Sequence, residues 1–88
     1  MTRRLRVIWE PAALDDLERS ATARQAQRVL DVMERMSRIG WSLGRATPMF
    51  GAQFRYFPAP PLGVVYDLWG AELRVVRVVD VRRLRRSP

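Results

Sequence analysis

The chain has 88 residues, 48% of them hydrophobic, and a net charge of +7 from 16 Lys+Arg against 9 Asp+Glu. One domain with an ordinary apolar fraction is expected over 1–88, which excludes a disordered chain. The lack of Cys and His excludes disulfides, zinc sites built on those ligands and triads that use His.

All sixteen basic residues are Arg. The planar guanidinium fork suits phosphate and carboxylate, so the basic excess points to nucleic acid or an acidic protein partner. A codon bias accounts for the choice of Arg over Lys but not for the net charge. No apolar run is long enough to cross a bilayer, and "TRRLRVIWE" after Met1 lacks the apolar segment of a signal peptide. The protein is therefore read as cytoplasmic, with no membrane partner.

"LRVIWE" (5–10) alternates bulky apolar residues and reads as a first strand. Pro11 then suits the first turn of a helix, in which Leu14 and Leu17 stand three apart and Asp15, Asp16 and Glu18 lie near the positive helix start. A second helix is predicted over 22–40, with Ala26, Val29, Leu30, Met33 and Met36 on one stripe and Gly40 as its stop. The two helices form a hairpin broken near Ser20–Thr22. "WSLGRATPMFG" (41–51) reads as a loop anchored by Trp41, Leu43 and Phe50.

Three strands follow, over 52–57, 63–69 and 72–81. Pro58, Pro60 and Pro61 fall in the first connection, and Gly70–Ala71 makes the second a tight turn. The order is strand, helix, helix, three strands. It gives an α+β class, with a three-stranded antiparallel meander and the helices packed on one face of the sheet. Alternation puts Val64, Tyr66 and Leu68 in the core and Gly63, Val65, Asp67 and Trp69 on the open face. Phe54 and Tyr56 are assigned to the core, which turns Arg55 to the open side. The last strand is apolar on both faces, and the tail "RRLRRSP" is a basic run.

This order, with "VIWEPAALDDLERS" at the front and "VVYDLWGAELRVVRVVDVRRLRR" at the back, resembles the RelE/ParE superfamily of toxins from bacterial type II toxin–antitoxin modules. The front of the resemblance runs through Val7, Trp9, Pro11, Ala13, Leu14, Leu17 and Glu18. The back runs through Val64, Val65, Tyr66, Val75, Val76, Val78, Val79, Arg82 and Arg83, so that residues 5–86 are covered.

The resemblance implies a toxin held in a hetero-oligomer by a cognate acidic antitoxin. In the RelE branch the toxin enters the ribosome and cuts mRNA without a metal or other cofactor. In the ParE branch the target is DNA gyrase and no nuclease site is needed. The family's basic positions carry over to Arg55, Arg82 and Arg83 as catalytic candidates, with Arg85, Arg86 and Trp69 as RNA-binding candidates. Gly63 stands where the family usually has an Arg, and no Tyr follows the basic run.

An Arg stays protonated and makes a poor general base, which leaves Asp67 or Asp80 to supply a carboxylate. Trp69 and Phe57, assigned to one face, are placed to stack a base or to lie under an antitoxin helix. Three functions are thereby open: an mRNA endonuclease that inhibits translation, a gyrase inhibitor without enzymatic activity, and a degenerate toxin that only binds its antitoxin.

Overall fold

The computed structural model describes residues 4–39, 45–46 and 53–84. In chain order the elements are β1 (Arg6–Trp9), α1 (Pro11–Ser20), α2 (Ala23–Ile39), β2 (Arg45–Ala46), β3 (Arg55–Ala59), β4 (Leu62–Trp69), β5 (Glu72–Asp80) and α3 (Val81–Leu84).

Local chemistry explains the helix boundaries. Pro11 opens α1, where the missing N–H costs nothing. Two residues part α1 from α2, and the second of them is a cap. The Thr22 N–H donates to Gln25 Oε1 at 3.0 Å, and the Gln25 N–H donates to Thr22 Oγ1 at 3.2 Å. This reciprocal pair satisfies two N–H groups that a helix start leaves without partners. Val29, Met33 and Met36 then bury one stripe of α2 in the core, with Ala26 and Val32 beside it, while Leu30 remains on the exposed rim.

The sheet is mixed, in the order β1-β5-β4-β3-β2. β1 runs parallel to β5, and every other pair is antiparallel. A parallel pair needs a long crossover, which the α1–α2 hairpin begins. The Gly70–Ala71 turn closes β4 onto β5, with Gly70 at φ +59. That left-handed value at the first central position is what a two-residue hairpin of the II′ kind requires. The core joins Ala13 and Leu17 of α1 and the α2 stripe to Ala59, Leu62, Val64, Tyr66, Leu73, Val75 and Val78 of the sheet. The α+β layout read from the sequence is the layout found.

The structure corrects the face assignment on β3. Phe57 and Ala59, in register with Val64 and Leu62, pack on the helix-covered core. Arg55 pairs with Tyr66 and so shares that face, not the open side, while Tyr56 pairs with Val65 on the opposite face. A strand allows one parity only, and the apolar pair at 57 and 59 sets it. Pro58 is not in the turn but inside β3, opposite Gly63. A proline fits there because, among the described residues, β2 pairs with Arg55 and Tyr56 and not with Pro58. The turn itself is Pro60–Pro61, joined by a cis peptide and held to α2 by the Arg28 guanidinium, which donates to the Pro60 carbonyl at 2.8 Å.

The ends of the strands also move. The residues read as a loop contain β2, and the last strand stops at Asp80 and turns into α3 instead of running on. Gly40 as a helix stop and the anchoring roles of Trp41, Leu43 and Phe50 lie outside the described residues. On the face taken as open, Gly63, Val65 and Asp67 are buried, and only Trp69 is exposed as expected. On α1, Leu14 faces solvent, and Ala13, Asp16 and Leu17 make the buried stripe.

Candidate functional site

The predicted site residues fall at three places along β4 and its neighbours. At the Leu62 end, Asp80 caps α3 by accepting the Arg82 backbone N–H at 3.0 Å. The same carboxylate takes the Arg82 side chain, with Nε at 3.1 Å and Nη2 at 2.8 Å. The bonds to Asp80 hold the Arg82 guanidinium protonated, with its pKa raised. Arg82 is thereby paired at the surface, with its side chain 66% exposed. Arg83 follows on α3, while Arg85 and Arg86 lie outside the described residues.

At the middle of the strand, Arg55 sits opposite Tyr66, four residues from Leu62, or about 13 Å at the rise of a strand. Tyr66 is fully buried in the core. On the other face Tyr56 lays its ring over Gly63. A Cβ on Gly63 would stand 2.2 Å from both Cε1 and Oη of that ring. The position at which an Arg is expected is thus filled by a tyrosine from the neighbouring strand, and Arg55, which the sequence reading placed beside it, is on the far side of the sheet.

At the far end, Trp69 is 61% exposed. Seven residues separate it from Leu62, which places it about 23 Å from the Asp80–Arg82 pair. Its indole N–H donates to Asp67 Oδ2 at 2.9 Å, and the Arg74 guanidinium lies 5.2 Å from the ring centroid. Asp67 is 5% exposed. Phe57 packs against the core on the other face, so Trp69 and Phe57 do not share a stacking surface.

A further ion pair joins α1 to β5. A bulge near Val65 and Tyr66 leaves Val76 without a partner on β4, and just past it Arg77 meets Asp16 of α1. Bulges re-aim side chains in this way. Arg77 donates from Nε at 2.8 Å and from Nη2 at 2.9 Å, and the Val78 N–H donates to the same carboxylate at 2.9 Å. β1 ends opposite Val75, and Asp16 takes the backbone donor that lies beyond it. Burial alone would raise the Asp16 carboxyl, but the Arg77 and Val78 bonds and the charges of Arg77 and Arg19 outweigh it and hold the pKa below its ordinary value. Arg19 and Ser20 complete a polar pocket of about 350 Å³ around the pair. The signal was present at Ala13, Asp16 and Leu17: a carboxylate on an apolar helix stripe must find a partner.

Among the described side chains, the arrangement offers separate features and no single catalytic cluster. Of the two carboxylates considered as general bases, Asp80 caps α3 and grips Arg82, and Asp67 is buried under Trp69. Among the described side chains, Asp80 pairs with Arg82, and Asp67 pairs with Trp69 and Arg74.

The sequence matches no protein-family model, and no curated protein matches it. Solved structures do match. A chain of the toxin–antitoxin complex RelBE2 from Mycobacterium tuberculosis superposes with a TM-score of 0.76 at 16% identity, over 88% of this chain and 98% of that one. The chromosomal ParDE system of P. aeruginosa gives 0.68 at 14% identity, over 90% and 98%. The YoeB/ParE toxin from Agrobacterium tumefaciens gives 0.67 at 18%, over 86% and 98%. Over 86–90% of its length the chain shares the fold of these chains from toxin–antitoxin systems.

Proposed function

We propose that the chain is the toxin of a type II toxin–antitoxin module and that it acts by binding a protein target, with DNA gyrase as that target, in preference to cutting mRNA. The fold shared with RelBE2, ParDE and YoeB/ParE structures supports the toxin reading, and with it a small acidic antitoxin as partner in a hetero-oligomer and action in the cytoplasm. The observation that carries the choice of binding is the engagement of Arg82. Its Nε and Nη2 pair with Asp80, and the strand positions of Arg55 and Trp69 set both well away from it. Cleavage through a neighbouring 2′-OH needs a proton acceptor and a cation within reach of one phosphate. A binding surface needs no such convergence.

Purified protein added to gyrase and relaxed plasmid is expected to block supercoiling, and Arg82→Gln is expected to block it equally well. Full supercoiling at excess protein removes the gyrase target.

The second reading, mRNA cleavage on the ribosome, is favoured by the net charge of +7 and by Arg83, Arg85 and Arg86 beyond the strand. In that case Arg83 would be the cation at the phosphate, and Arg55 would contribute from elsewhere.

A further inference from the structure

We infer that Trp69 and the charged side chains around it form a docking point for a partner protein that presents an arginine or lysine side chain. This surface is separate from the basic end of the sheet, and the inference holds whatever the toxin's target.

The strand register builds the patch in two rows. Arg6, Glu72 and Trp69 stand side by side across β1, β5 and β4, and Ile8, Arg74 and Asp67 form the next row. Trp69 is exposed yet already fixed, by its bond to Asp67 and by Arg74 against its ring. A large aromatic side chain that is held before contact loses little freedom on docking, and tryptophan is over-represented among residues that dominate interfaces.

Local charge selects the partner. Arg6 and Arg74 face three carboxylates, Glu10, Asp67 and Glu72, which leaves this patch with one excess negative charge in a chain of +7. A phosphate backbone is repelled here. A guanidinium or ammonium is attracted, both by the carboxylates and by the free face of the indole.

A second observation points the same way. Asp67 Oδ1 and Arg74 Nε are buried 3.6 Å apart, and neither has a hydrogen-bond partner. Arg74 is divided, because its Nη2 also reaches Glu10 Oε1 at 3.2 Å. A partner cation that takes over Glu10 releases Arg74 to close on Asp67, which satisfies two buried groups at once. An anionic ligand would do the opposite and draw Arg74 away from Asp67.

The test is the indole N–H resonance of Trp69 in the ¹⁵N-labelled full chain, assigned by its loss in Trp69→Phe. The peptide acetyl-Arg-Leu-Arg-amide is expected to shift it saturably, while acetyl-Glu-Leu-Glu-amide and hexauridylate leave it in place. Replacing Glu10 and Glu72 together by Gln is expected to weaken the arginine peptide about tenfold. No shift at millimolar arginine peptide, a shift with hexauridylate, or unchanged affinity in the Gln variant would each overturn the assignment. A shift that follows protein concentration without peptide would make the occupant a second copy, and would overturn it as well.

Discussion

Gly63→Ala is expected to lower the unfolding free energy by about 2–3 kcal/mol, and with it the melting temperature by roughly 10–15 °C. The added Cβ would lie 2.2 Å from Cε1 and Oη of Tyr56 and 2.3 Å from Cζ. Gly63 is hydrogen-bonded into the sheet between β3 and β5, opposite Pro58 and Val79, so the backbone has little room to yield. The aromatic ring must swing out and give up its burial. Alanine otherwise costs less chain entropy than glycine in a strand, so the sign depends on the ring. In a Tyr56→Ala background the same substitution is expected to be neutral or stabilising. Urea denaturation of the four proteins of this cycle measures the coupling, and an equal cost in both backgrounds would contradict the contact.

Asp16→Ala is expected to cost about 2–3 kcal/mol. The loss has two parts. The Val78 N–H keeps its buried position without an acceptor, and the two bonds from Arg77 vanish. The Arg77 side chain is 50% exposed and returns to water, which keeps the cost below that of a fully buried pair. The neighbouring Asp15→Ala, on the exposed side of α1, is expected to stay within about 0.5 kcal/mol of the parent.

The same site predicts an acid dependence. A carboxyl whose folded pKa lies below its unfolded value binds fewer protons in the folded state. Its contribution is complete above the ordinary value of 3.8 and is lost as the pH falls through the folded pKa. Stability measured from neutral pH down to strong acid is therefore expected to drop less steeply below 3.8 in Asp16→Ala than in the parent. Parallel acid limbs would contradict the role given to Asp16.

The parts of the fold that were legible in the sequence are those with strong local signals. The stripe of Val29, Met33 and Met36 specified α2, and Gly70–Ala71 specified the last hairpin, whose glycine adopts the positive φ such a turn requires. Less legible was whatever depends on a neighbour distant in sequence. Phe54, Tyr56 and Phe57 are all aromatic, so composition alone could not set the parity of β3. The register with Val64 and Leu62 sets it, and it turns Arg55 to the helix-covered face. The parallel pairing of β1 with β5 has no short-range signature, because the two strands are separated by most of the chain. In the sequence Gly63 stands out only as a missing arginine. Its reason is the Tyr56 ring, which comes from the strand beside it.

The candidate site divides in the same way. The basic end and the exposed Trp69 could be named from the sequence, but not their separation along β4, nor the closure of Arg82 on Asp80. The carboxylates that matter most to the structure, Asp16 and Asp67, are read in sequence only as a charge near a helix start and a spare base. Both are buried, and both orient a cation or an aromatic ring. These pairings hold α1 to β5 and fix Trp69 in place.

The most direct measurement of the binding proposal is the mapping of mRNA 5′ ends after the chain is induced in growing cells. A toxin that binds gyrase without cutting RNA leaves the pattern of ends inside coding regions unchanged while growth stops. New ends within translated codons that disappear in Arg83→Ala would contradict it and establish the chain as a nuclease.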